Sequence, residues 1–96
     1  MKMVIVSILD TAAGAYGRPA FVASEGVAIR QFQDEVNRIS EDNQLYKHPD
    51  DFQLFYLGTY DDNTGGMDLL ASPKLISRAK DVMIRGEDVK PLGADY

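Results

Sequence analysis

The sequence predicts a small α+β domain in the order ββαββα, a mainly antiparallel sheet with two helices on one face. Three observations predict it. An uncharged, β-branched run, "MVIVSIL", stands near the start. An amphipathic stretch follows at residues 25–39, with apolar residues three and four apart. An aromatic-rich run, "FQLFYLGTYD", comes next and leads into the turn-forming "DDNTGG".

Each element has its own cause. Residues 3–9 carry no charge and read as a buried strand. "DTAAGAYGRP" is a loop, because Gly14 and Gly17 allow positive φ and Pro19 forces Arg18 to be extended. "AFVA" reads as a short second strand that pairs back on the first. Ser24 is a good N-cap and Glu25 suits the helix dipole. From Glu25 to Ile39, the residues Ile29, Phe32, Val36 and Ile39 form one apolar stripe, with Arg30, Asp34, Arg38 and Glu41 opposite. "LYKHPDD" is a second loop, stiffened by Pro49. In "FQLFYLGTYD" both faces are apolar near the middle, as in a central strand, and "MDLLA" returns beside it. Ser72 before Pro73 is a helix-start signature. Leu75, Ile76, Ala79, Val82 and Met83 would form the apolar stripe of that helix, and Gly86 would stop it. Residues 1–86 thus read as a single domain, and 87–96, polar and proline-bearing, as a mobile tail.

Composition narrows the function. The 96 residues hold no cysteine, so disulfides, thiolate nucleophiles and cysteine-based zinc sites are excluded. No run of 18 apolar residues is present to form a membrane-spanning helix, and the apolar run of "MKMVIVSILD" stops at Asp10, so it reads as a strand rather than a leader. A net charge of −5 argues against a protein that coats phosphate generically.

Catalytic chemistry finds little support. The lone histidine, His48, could use Asp50 or Asp51 as an orienting partner, but a loop histidine tethering backbone explains it as well. No serine sits in a nucleophile elbow. Asp61 and Asn63 are spaced like ligands of a calcium loop, yet Ser72 occupies the position that needs a glutamate. The chain reads as a non-enzyme without metal or cofactor. Residues 74–85 are different: Lys74, Arg78, Lys80 and Arg85 against Asp81 give a local charge of +3. On a helix, Lys74, Arg78 and Arg85 would share a side able to hold phosphates. Tyr16 and Arg18, with Tyr46, Lys47 and His48, are loop residues that could stack on bases or reach a phosphate. Tyr16, Arg18, Lys74, Arg78 and Arg85 are therefore the candidate nucleic-acid contacts.

"YGRPAFV", "AIRQFQDEVN" and "KHPDDFQLFYLGTYDDNTG", in that order, carry a resemblance over roughly residues 2–80. The chain resembles the small nonstructural protein of the gokushovirus branch of the Microviridae, the small single-stranded-DNA phages. The resemblance implies a role late in infection, in the host cell cytoplasm. There the protein would join the replication complex on the replicative DNA and turn it from duplex replication to single-strand synthesis coupled to procapsid filling. The implied partners are viral DNA or the replication complex, reached through a basic initiator protein or the procapsid. The alternative is an assembly adaptor without nucleic-acid contact. A second copy of the chain is a further expected partner, because a dimer would cover the sheet edge that so small a domain exposes.

Overall fold

The computed structural model describes residues 1–85. Strand β1 (Lys2–Asp10) lies inside the sheet. A turn at Thr11–Gly14 follows, in which the Asp10 carboxylate accepts from the backbone N–H groups of Ala12 and Ala13 and Gly14 adopts φ 68°. The chain then returns along β1 as two short strands, β2 (Ala15–Tyr16) and β3 (Ala20–Val22). Helix α1 (Glu25–Val36) crosses from β3 to the far side of β1. The one-turn helix α2 (Gln44–Lys47) and a 3-10 turn (Pro49–Asp51) lead into β4 (Phe52–Asp61). Strand β5 (Gly66–Arg78) and the one-turn helix α3 (Ala79–Val82) complete the described chain. The sheet order is β2-β1-β4-β5, with β3 also on β1, and every pairing is antiparallel.

The α+β class and the antiparallel sheet are as the sequence predicts, but the ββαββα order needs correction. The helix expected from Ser72 is the second half of β5, and only Ala79–Val82 is helical. Gln53 pairs with Arg78, Leu54 with Ser77, Phe55 with Leu75 and Tyr56 with Lys74. Ile76 is an extra residue in this ladder, so the adjacent Leu75 and Ile76 mimic a helical stripe. α1 also ends three residues early. The side chains of Asn37 and Asn43 take the carbonyls of Gln33, Glu35 and Arg38, and Ile39 lies outside the helix, 80% exposed. The expected stop at Gly86 and the tail at 87–96 lie outside the described residues.

The core sits between α1 and one face of the sheet. Val6, Val22 and Leu54 pack with Ala28, Phe32 and Val36 of α1 and with Ala79. Ser24 caps the helix, its hydroxyl accepting from the N–H of Val27 at 3.2 Å. Ile76, Val82 and Met83 reach the same cluster, so with Ala79 four of the five expected apolar residues are core-facing, Ile76 from a strand rather than a helix.

The middle of the sheet is strongly bent. Leu57 is an extra residue between the pairs Ile5–Gly58 and Val6–Tyr56. On the other side of β4, four residues, Leu70–Pro73, stand between the partners of Tyr56 and Gly58. Gly58 makes this possible: its φ is 156°, and a Cβ there would lie 2.3 Å from the Asp68 carbonyl oxygen.

Candidate functional site

Directly opposed residues of a sheet share a face, so the register sorts the side chains. On the face turned away from the core, one row runs Tyr16, Leu9, Gln53, Arg78 across four strands. A second runs Phe21, Ile5, Gly58, Leu69. Between them lie Ser7, Phe55 and Leu75, and beyond the second lie Met3, Tyr60 and Met67. Tyr16 meets Phe55 edge-on at 5.5 Å, and Phe21 meets Tyr60 at 5.4 Å. Ile5 and Ser7 are buried beneath these rings, while Tyr16 and Phe21 remain 46% and 43% exposed. Arg78 is the one charged side chain in these rows. It lies 3.9 Å from Asp81.

The five candidate nucleic-acid contacts do not form one surface. Tyr16 and Arg78 share the outer face, at opposite ends of a row. Lys74 pairs with Tyr56, which pairs with Val6, so it belongs to the core-side face. Arg18 lies in the interruption between β2 and β3 and lines a cavity against α1. Arg85 is held by the protein itself. Its guanidinium donates to the Tyr46 carbonyl at 2.9 Å and to Asn37 Oδ1 at 3.1 Å, and it lies 4.3 Å from the Tyr46 ring centroid. The basic helical side expected at 74–85 is therefore absent. A strand alternates its faces, and the Ile76 bulge sets Lys74 and Arg78 on opposite ones.

His48 is exposed between α2 and the 3-10 turn, where its backbone donates to Gln44 and accepts from Asp51. The Asp61 carboxylate accepts from the N–H of Asn63 at 2.9 Å, shaping a turn. Among the described residues no group of three His, Cys, Asp or Glu is arranged around a metal-sized gap. Again among the described residues, no helix is long and apolar enough to cross a membrane.

Sequence reasoning missed the two asparagines that organise the end of α1. Asn37 donates to the carbonyls of Gln33 and Val82, at 2.8 and 3.0 Å, and accepts from the N–H of Ile84. Buried Asn43 donates to the carbonyls of Glu35 and Arg38, at 2.7 and 2.8 Å, and accepts from the N–H of Leu45. The signal was an asparagine just beyond the last buried residue of the stripe. Nearby, the Arg38 guanidinium hydrogen-bonds the Glu35 carboxylate at 2.7 Å and holds its pKa below the ordinary glutamate value.

The cavity under Arg18 measures about 260 Å³. Its apolar walls are Val6, Ile8, Val22, Ala28, Phe32 and Leu54, and Gln31 and Glu35 of α1 contribute polar lining. Gly17, Ala20 and Ala28 are small, which leaves the space unfilled. The broken strand is fixed beside it by two hydrogen bonds: Gly17 N–H donates to the Ile8 carbonyl, and the Ser7 hydroxyl donates to the Gly17 carbonyl, each at 2.8 Å.

Residues 3–82 match the family described as Phage ORF5 protein. A curated relative, Protein ORF5 of Chlamydia phage 1, is 37% identical over 67 residues, which cover 68% of this chain and 70% of the relative. No solved structure matches.

Proposed function

Because the chain belongs to the phage ORF5 protein family and is a small Microviridae-type phage protein, we propose that it acts in packaging of the viral DNA and in the switch from duplex replication to single-strand synthesis. It does so in the host cell cytoplasm, without catalysing a reaction, by docking on a protein of the replication or procapsid assembly. One observation carries the docking half of this reading: the outer sheet face is apolar and aromatic, and its rows hold a single charge. Contiguous exposed apolar surface of this kind suits a protein partner, whereas a nucleic-acid groove needs several cations to neutralise phosphates. The net charge of −5 favours a basic partner such as a replication initiator. The packaging and strand-switch half rests on the resemblance stated above.

A titration of labelled oligo(dT) at two salt concentrations tests the docking reading. The expected outcome is no saturable binding at low salt. Saturable binding whose affinity falls by tenfold or more between about 50 and 200 mM salt would require several phosphate contacts and would replace docking with direct DNA binding. Tyr16 and Arg78 favour that second reading, because they share one cross-strand row. In that case Tyr16→Ala with Arg78→Gln would weaken the binding and flatten its salt slope.

A further inference from the structure

We infer that the cavity between α1 and the interrupted β2–β3 strand is a receptor for one aromatic side chain of a partner peptide, next to an acidic residue of that peptide. The inference rests on the docking reading and adds a second contact, on the α1 side of the sheet. Four observations carry it.

The first is size. A cavity of about 150 Å³ holds a benzene ring, and drug-sized ligand sites begin at about 300 Å³. At about 260 Å³ the cavity suits a single large side chain rather than a cofactor or nucleotide. The second is polarity. Val6, Val22, Ala28, Phe32 and Leu54 are core residues, so an inserted ring would replace missing packing rather than displace hydrogen-bonded groups. Filling such a hole in a desolvated pocket is what makes an interface anchor strong.

The third is charge. Arg18 is exposed, lines the cavity, and makes no ion pair or side-chain hydrogen bond among the described residues. Glu35 also lines it, but Arg38 already neutralises its carboxylate. The uncompensated charge is positive, so on a partner that is basic overall it selects a local acidic residue beside the ring. The fourth is access. Exposed Gly17 and Arg18, in the break between β2 and β3, line the cavity, so a partner can approach it there without unzipping β1. These features also give a use to the small side chains Gly17, Ala20 and Ala28, whose lack of bulk costs packing.

Phenylacetate and its neutral analogue phenylacetamide are the probes, read by amide chemical shifts in the intact protein. Both are expected to shift Val22, Ala28 and Phe32 saturably, with about millimolar affinity. Phenylacetate should bind about two- to fivefold more tightly at low salt. Arg18→Gln should remove that preference while the ring still binds. Ala20→Leu, on an exposed strand position that lines the cavity, should abolish binding of both probes without unfolding the protein. The peptide acetyl-Asp-Trp-Asp-amide should displace phenylacetate, and oligo(dT) should not. The receptor is overturned if neither probe saturates at these amides, or if binding survives Ala20→Leu. Its anion preference is overturned if the two probes bind equally to the parent, and displacement by oligo(dT) alone would assign the site to nucleic acid. Failure of the probes removes this receptor and leaves the docking reading to the salt titration, which does not involve the cavity.

Discussion

Gly58 shows how much a single residue can be asked to do. It sits where β4 meets a bulge on each side, and backbone atoms of Asp68 and Leu69 occupy the space a Cβ would need. Gly58→Ala should destabilise the protein by at least about 2 kcal/mol, through a positive φ and a clash with backbone that has no flexible end to move. A loss under about 0.5 kcal/mol in urea unfolding would show that β5 can retreat. Glu35 makes a smaller, pH-dependent contribution. Its folded pKa is depressed by the hydrogen bond to Arg38, so its stabilisation is present above the unfolded pKa and is lost as pH falls through the folded value. The pair is substantially exposed, so the effect at neutral pH should be under about 1 kcal/mol. Glu35→Gln should lower the melting temperature slightly at pH 7 and match the parent near pH 2. An equal deficit at both pH values would assign the loss to packing instead.

At the level of elements, α1 is the best test of the core. Phe32 lies on its buried side between Ala28 and Val36, and Phe32→Ala should cost about 3–5 kcal/mol. A cost below about 1 kcal/mol in reversible unfolding would mean the helix is not seated on the sheet. This helix, its Ser24 cap, the first strand and the aromatic strand were legible because local chemistry and tertiary packing agree there. The end of α1 was not, since Ile39 continues the apolar spacing while Asn37 and Asn43 consume the carbonyls that would extend the helix. The second half of β5 reads as a helix for a related reason. Ser72–Pro73 looks like a helix start, but Pro73 lies in the four-residue bulge, and pairing with Gln53–Tyr56 overrides the local preference. The candidate site suffered accordingly. Tyr16 and Arg18 were legible as residues a turn does not need, whereas the opposite placement of Lys74 and Arg78 depends on the Ile76 bulge, which has no sequence signature.

The whole molecule is two-sided. One sheet face is closed by α1 around Phe32, and the other presents Tyr16, Phe21, Leu69 and Met67 with substantial exposure. Phe21, paired with Ile5 of β1, and Phe32, on the helix packed against the opposite face, thus have different duties. Phe21→Ser should cost under about 1.5 kcal/mol, less than Phe32→Ala, because Phe21 keeps 43% of its surface exposed while Phe32 keeps 3%. It should instead impair whatever docking the outer face supports. A loss as large as that of Phe32→Ala would mean the outer face is a second core. The dispersal of Arg18, Lys74, Arg78 and Arg85 agrees with this division, since among the described residues these four cations do not gather on one surface.

The four-residue mismatch at Leu70–Pro73 has a consequence for life at high concentration. β5 is 13 residues long and forms the outer border of the sheet. A border of that length, if straight, would be a template on which further chains could add as strands and grow into fibrils. The mismatch cuts it into two short runs, Gly66–Leu69 and Lys74–Arg78, and Pro73 brings no N–H to the gap between them. An incoming strand in register with one run is out of register with the other, so addition stalls after a few hydrogen bonds. The irregularity that disguises β5 in the sequence thereby shortens the template that its margin offers to another chain.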